Sequence, residues 1–241
     1  MDDGAGLRLT GVHKTYGRRE VLRGASLEVP AGALVCVTAA ADTPGRGGGQ
    51  RTAPEGAANR SAGRTTLARI AAGRLPADRG RVERTAAAGF CPQQAVLNDT
   101  LTVDEHLRYF QATYRLRDTR RALELLDQLG AGHLRHEDAG ALDPTSRQKV
   151  NLTLALMHDP ALLVLDDPCQ ELDRETRRRF WEVVCGLRDQ GRSVLVVGRL
   201  APEPGTFDSL RLADAVLELV EGRLAAVRRP AGVAASRGSA A

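Results

Sequence analysis

Two adjacent carboxylates, Asp166 and Asp167, are the residues of this chain best placed to do chemistry. They follow an unbroken apolar run, Leu162 to Leu165, which is typical of a strand buried on both faces of a parallel sheet. Open α/β sheets hold their ligands at the carboxyl ends of such strands. Two interpretations stay open at this point: a pair of acids at a ligand site, or a buried strand that ends in a solvated acidic turn.

A second candidate lies upstream and reads Ser61-Ala62-Gly63-Arg64-Thr65-Thr66. Apolar residues at helical spacing follow it from Leu67 onward. Phosphate-binding loops have the pattern Gly-x-x-x-x-Gly-Lys-[Ser/Thr], in which backbone N–H groups cradle phosphates, the Lys reaches the β and γ phosphates, and the hydroxyl binds Mg²⁺. Gly63 and Thr65 match this pattern, whereas Ala58 replaces the first Gly and Arg64 replaces the Lys. A rival register that starts at Gly45 lacks the second Gly and has no helix after it.

The elements that must position these residues follow from hydrophobic patterning. Leu7–Thr10 and Leu27–Val29 alternate apolar and polar residues, as half-buried strands do, and further buried strands are predicted at 34–38, 86–90 and 193–197. A capping box at Thr102 to Glu105 predicts a helix that begins at Val103. Ala41 to Arg60 is rich in Gly, Pro, Ala and Arg without an apolar period, so it is predicted to be a flexible insertion that lacks regular structure.

Composition limits the class of protein. The 241 residues fit one large domain or two small ones, and a hydrophobic content of 42% is enough for a core. No apolar run reaches the length of about 18 residues that predicts a membrane span, and Met1 to Gly4 lack the features of a signal peptide. The 4 cysteines form no Cys-x-x-Cys pair, which favours a reducing cytosol, and the net charge of +4 is too modest to indicate nucleic-acid binding.

The order and spacing of these segments, from Leu7 to Val227, resemble the ATP-binding subunits of ABC transporters. Leu162 to Asp173 resembles their Walker B segment and D-loop, Gln93 their Q-loop glutamine, and Tyr16 the aromatic residue that stacks on adenine. A tyrosine that packs an edge strand is an equally good interpretation of Tyr16 from the local sequence. Leu101 to Leu107 looks most like exporters of the drug-resistance type.

The resemblance implies roles for these residues. ATP would be held by Tyr16, Gln93 and the loop Ser61, Ala62, Gly63, Arg64, Thr65 and Thr66. Mg²⁺ would be held by Thr65, Gln93 and Asp166. Catalysis would fall to Asp167, at the position of the family's general base, and to Arg199, at the position of the family's γ-phosphate-contacting His.

Several of these positions depart from the family pattern. Asp167 is one methylene shorter than the usual Glu, and Arg64 carries a planar guanidinium instead of a compact ammonium. Arg199 cannot accept a hydrogen bond as a neutral His does. Leu142-Asp143-Pro144-Thr145-Ser146 keeps only the Leu of the family's signature, Leu-Ser-Gly-Gly-Gln. The ATPase activity that the resemblance implies is therefore left open, and hydrolysis is expected to be weak or lost.

The resemblance also implies the architecture and the partners. The fold would be α/β, a P-loop NTPase of ABC type, with a mostly parallel core sheet, an N-terminal antiparallel β subdomain and an inserted helical subdomain. One domain would span residues 1–229, with the insertion at 41–60 and the helical subdomain at 92–159, followed by a disordered tail at 230–241. The chain would pair with itself or with a second ATP-binding subunit and would serve a membrane-spanning permease from the cytoplasmic face of the membrane. The alternatives are a non-hydrolysing pseudo-ATPase scaffold or regulatory subunit of such a complex, or a cassette that acts on ribosomes or DNA.

Overall fold

The computed structural model describes residues 5–39, 54–199 and 209–227. A three-stranded antiparallel sheet contains β1 (Ala5–Tyr16), β2 (Arg19–Pro30) and β4 (Arg79–Arg84), in the order β2-β1-β4. Leu9 of β1 pairs with Leu27 of β2, and both side chains are buried. The alternation seen in the sequence therefore places one apolar face of this sheet against the rest of the molecule.

The main sheet has six strands in the order β5-β6-β7-β3-β8-β9. They are β3 (Leu34–Ala39), β5 (Ala88–Cys91), β6 (Leu162–Asp166), β7 (Ser193–Val197), β8 (Ala215–Val220) and β9 (Arg223–Ala226). All neighbouring pairs are parallel except β8 with β9. The carboxyl ends of β5, β6, β7 and β3 consequently meet at one edge of the sheet.

Helices cover both faces of this sheet. Along β3, Val35 and Val37 belong to the core cluster that contains residues of α1 (Pro54–Ala71), whereas Leu34 and Cys36 pack with residues of α5 (Arg174–Asp189). A strand whose alternate side chains are buried on opposite faces has to be apolar throughout. This explains the unbroken apolar runs of β6 and β7, in which every residue is buried.

Arg84 fixes the carboxyl end of α1 to the antiparallel sheet. Its guanidinium donates hydrogen bonds to the carbonyl oxygens of Ala71, at 2.7 Å, and Ile70, at 2.9 Å. The last carbonyls of a helix have no partner within the helix, so this contact satisfies them and sets the position of α1.

Three helices lie between β5 and β6: α2 (Val103–Thr113), α3 (Arg120–Gln128) and α4 (Pro144–Leu156). They pack around a core of their own that includes Val103, Leu126 and Val150. The predicted capping box is present, since the Thr102 side chain accepts a hydrogen bond from the Glu105 N–H and the Glu105 carboxylate accepts one from the Thr102 N–H. Together the parallel core, the antiparallel sheet and these helices confirm the predicted α/β fold class.

The prediction that the whole segment 41–60 lacks regular structure is wrong for its last part. Helix α1 begins at Pro54, so residues 54–60 are helical, although 41–60 was predicted to lack regular structure. Proline at the first helical turn brings a φ already suited to the helix, and the following Glu55 and alanines favour helix as well. Residues 41–53 and the predicted tail at 230–241 lie outside the described residues.

Within the three described ranges, no helix combines the length and the apolar character that crossing a membrane requires.

Candidate functional site

The carboxyl edge of the main sheet gathers most of the residues singled out in the sequence. Asp166 is the last residue of β6 and Asp167 follows it, and Gly198 and Arg199 follow β7. Helix α1 supplies Arg64 and Thr65 from one side, and its side chains reach the acids across the edge. The parallel order of the strands thus creates one cluster from segments that are far apart in the chain.

The first acid, Asp166, forms a pair with Thr65. Asp166 is 2% exposed, and the Thr65 hydroxyl lies 3.4 Å from its Oδ1 atom. Burial raises the pKa of Asp166 to about 6, although the Thr65 hydroxyl and the nearby Arg69 and Arg64 favour the ionised form. A hydroxyl and a carboxylate are oxygen ligands of the kind that Mg²⁺ prefers, so this donor pair fits the ion.

The second acid, Asp167, is fixed by its backbone and by two arginines. It has a φ of 48°, and its N–H donates to the Val197 carbonyl oxygen at 2.7 Å. Its Oδ1 atom accepts a hydrogen bond of 3.0 Å from the Arg199 N–H. Its Oδ2 atom lies 3.7 Å from a guanidinium nitrogen of Arg64 and 3.7 Å from one of Arg199.

Gly198 makes this arrangement of Asp167 sterically possible. A Cβ atom at position 198 would lie 2.9 Å from Oδ1 and 3.0 Å from Cα of Asp167, closer than side chains tolerate. Any side chain at position 198 would therefore force Asp167 to move.

The predicted phosphate loop is helical. Ser61 to Thr66 lie inside α1, where backbone N–H groups bond to carbonyl oxygens one turn earlier and are not presented to a ligand. Gly63 is buried, and a Cβ there would come within 3.1 Å of a methyl group of Leu219. This glycine serves close packing in the structure, and the loop residues as they lie do not fit a triphosphate.

The other predicted ligand residues lie close to this edge. The Tyr16 hydroxyl is 3.4 Å from the Thr66 hydroxyl, and Tyr16 is 47% exposed. The Gln93 amide donates a hydrogen bond of 2.7 Å to the side-chain oxygen of Gln170. Tyr16 is therefore connected to α1, whereas Gln93 is connected to the turn after β6.

The segment at the signature position begins α4 with an internal cap. Asp143 accepts hydrogen bonds from the N–H and the hydroxyl of Ser146, both at 2.9 Å, and Pro144 occupies the first turn. The hydrogen bonds to Ser146 lower the pKa of Asp143. The amino end of α4, which would attract an anion, therefore already holds a carboxylate of its own chain.

A buried polar network was missed by sequence reasoning. Gln148 of α4 donates to the Pro168 carbonyl oxygen at 3.1 Å, and Asn151 donates to the Pro92 carbonyl oxygen at 2.9 Å. The Asn151 amide also lies 3.1 Å from the Gln148 side-chain oxygen. These contacts tie α4 to the turns after β5 and β6. Two amides spaced three residues apart on an otherwise apolar helix face were the available signal.

Comparisons with known proteins indicate the family of this chain. A family model described as ABC transporter matches residues 59–170. An aliphatic sulfonates import ATP-binding protein, SsuB of Pseudomonas entomophila (strain L48), is 30% identical over 229 residues, covering 91% of this chain and 74% of that protein. ABC transporter G family member 20 of Dictyostelium discoideum is 25% identical over 221 residues; these cover 86% of this chain but only 28% of that protein's length.

A solved structure agrees at the level of the fold. The dimeric post-hydrolysis structure of the ATP-binding cassette MJ0796, bound to ADP and Pi, has a TM-score of 0.73 at 21% identity, covering 92% of this chain and 99% of that one. Because the sulfonate importer subunit is matched over most of its length and the cassette fold is shared, the chain belongs to the ABC transporter family, as one of its nucleotide-binding domains.

Proposed function

We propose that this chain is the ATP-binding subunit of an ABC transporter in which nucleotide hydrolysis is weak or lost. It serves a membrane-spanning permease from the cytoplasmic face of the membrane. The observation that carries the proposal is the position of Asp167 between Arg64 and Arg199.

A general base must be free to accept a proton from the attacking water within about 2.6–3.2 Å. Asp167 instead accepts the Arg199 N–H at 3.0 Å and faces two guanidinium groups, while its own side chain is 7% exposed. Both carboxylate oxygens of Asp167 therefore already have nitrogen neighbours of the protein at the positions that an attacking water would need. These contacts support slow or absent chemistry.

Nucleotide binding is proposed with a restricted set of contacts. Tyr16 has an exposed ring beside α1 and is assigned to adenine, and Thr65 with Asp166 and Gln93 to Mg²⁺. Phosphates cannot use the N–H groups of residues 61–66 while these lie within α1, so binding requires this part of the helix to unwind. Lost helical hydrogen bonds oppose binding, and the affinity is expected to be low.

Export is the proposed direction, because Leu101 to Leu107 resembles exporters of the drug-resistance type. The relative from Pseudomonas entomophila is named as an importer subunit, so the direction needs its own test. Transport of a labelled substrate in membrane vesicles that contain the permease and this chain would decide between uptake and export.

Pairing of two cassettes is proposed as well, with this chain or a second ATP-binding subunit as the partner. The MJ0796 cassette, which shares the fold, is dimeric in the structure matched. Sedimentation of the purified chain alone and with its permease would distinguish a homodimer from a mixed pair.

A non-hydrolysing scaffold is the second candidate, favoured by the carboxylate that already caps α4. Equilibrium ATP binding and ATP turnover, measured on one preparation, separate the two functions. Saturable binding with slow turnover that Asp166→Ala abolishes supports the ATP-binding subunit. Absence of binding supports the scaffold, and fast turnover contradicts both.

A further inference from the structure

The Asp167 carboxylate occupies the space between two guanidinium groups that come from different elements. Arg64 reaches it from α1, and Arg199 reaches it from the segment after β7. The side chains of Arg64 and Asp167 are each 7% exposed, whereas that of Arg199 is 54% exposed. The cluster is therefore closed on the α1 side and open on the Arg199 side.

The two guanidinium contacts are electrostatic and loose. Each nitrogen–oxygen distance is 3.7 Å, which is beyond the range of a hydrogen bond, so neither contact has the bidentate geometry that arginine forms with carboxylates and phosphates. An anion with more oxygens and more charge than a carboxylate would interact more favourably with the same two arginines.

The backbone, in contrast, holds Asp167 firmly. Its φ of 48°, its N–H bond to Val197 and the hydrogen bond from the Arg199 N–H leave the carboxylate in one place. Gly198 has no side chain, so it leaves room for the Asp167 carboxylate at this position. The carboxylate is thus held between the arginines mainly by backbone contacts, not by the two guanidinium groups.

We propose that Asp167 is an internal competitor for phosphate: its carboxylate supplies the negative charge between Arg64 and Arg199 and repels polyphosphates from that position. The inference deepens the proposed function, on which it rests, because it names the contact that keeps nucleotide affinity low. The ligand class is a polyphosphate anion, either free or as the tail of a nucleoside triphosphate.

The test compares charge variants by calorimetric titration with tripolyphosphate and, separately, with ATP, in EDTA at fixed ionic strength. Asp167→Asn removes the charge, suits a positive φ and can still accept the Arg199 N–H. It is expected to bind tripolyphosphate about tenfold more tightly than the wild type. Asp167→Gly, which adopts the same φ without strain, is a second variant with the same expected gain.

Three controls identify the cause of the gain. Asp167→Glu keeps the charge and should not tighten binding. Asp166→Asn removes the same charge one residue away and should give a smaller gain than Asp167→Asn. Arg64→Gln in the Asp167→Asn background should remove the gain, because it deletes the buried guanidinium on which the anion position depends.

The outcomes separate this inference from the proposed function. Tighter tripolyphosphate binding by Asp167→Asn without any preference for ATP would support the competitor and contradict adenine recognition. Unchanged tripolyphosphate binding by a folded Asp167→Asn or Asp167→Gly would overturn the competitor, as would an equal gain in Asp166→Asn. Saturable ATP binding by the wild type alongside that null result would leave the proposed function standing.

Discussion

Removal of the Asp143 carboxylate tests whether the amino end of α4 is closed by its own chain. In the structure Asp143 accepts hydrogen bonds from the N–H and the hydroxyl of Ser146, both at 2.9 Å. Replacement of such a cap by Ala costs about 0.5–2 kcal/mol, typically about 1. For a chain of this size about 1 kcal/mol corresponds to a fall in Tm of about 2–4 °C.

The pH dependence of this loss identifies the carboxylate as its source. Because hydrogen bonds from Ser146 lower the folded-state pKa of Asp143, its stabilisation is fully present above the unfolded pKa of about 3.9. It is lost as the pH falls through the lower folded pKa. The difference between the wild type and Asp143→Ala should therefore be constant from about pH 5 to 8 and shrink below about pH 4.

The assay is urea unfolding followed by circular dichroism across that pH range, with Asp143→Asn as the matched variant. Asn keeps a capping oxygen but loses the charge, so its loss at neutral pH should be smaller than that of Ala. Asp143→Ala with wild-type stability at pH 7 would refute the reasoning, because the amino end of α4 would then not depend on the carboxylate and would be open to a ligand.

Three further substitutions, two of them paired with a control substitution, have expected outcomes. Tyr16→Ala should weaken ATP binding by about 1–3 kcal/mol in calorimetry, by analogy with base–aromatic stacking. Tyr109→Ala, at an exposed tyrosine of α2, is its control and should leave ATP binding unchanged. An equal loss of ATP binding in both variants would contradict the assignment of Tyr16 to adenine. Arg64→Lys alone should not raise phosphate release, since the general base and the signature segment remain altered; recovery would assign the defect to Arg64 itself. Gly198→Ala should destabilise the fold by about 1–3 kcal/mol in urea, because the added methyl group overlaps the aspartate beside it. Gly186→Ala lies on α5 with nothing within 4 Å of the added Cβ, so it should stabilise the fold by about 0.5–1 kcal/mol. A Gly198→Ala variant that is more stable than Gly186→Ala would contradict the close contact between Gly198 and Asp167.

Local patterns predicted most of the fold. The apolar run before Asp166 became a strand with every residue buried, and Thr102 caps a helix that begins at Val103, because each signal depends on residues close in sequence. The start of α1 was missed, since the Gly, Pro and Arg content of 41–60 obscured the favourable Pro54-Glu55 start.

The site was predictable only in part. The resemblance located Asp167, Arg64 and Arg199, but no local pattern predicts that the two arginines converge on the Asp167 carboxylate. That contact depends on the order of β6 and β7 in the sheet and on where α1 packs, which are tertiary properties. For the same reason the sequence assigned phosphate binding to Gly63, whereas the structure uses this residue for packing against Leu219.

Asp167, held between Arg64 and Arg199, is expected no longer to support ATP hydrolysis at the rate of an ordinary transport ATPase. Steady-state phosphate release by the purified protein, alone and assembled with its permease, tests this most directly. We expect turnover well below the common enzyme range of about 1–1,000 per second in both preparations. Turnover within that range, abolished by Asp166→Ala, would contradict it.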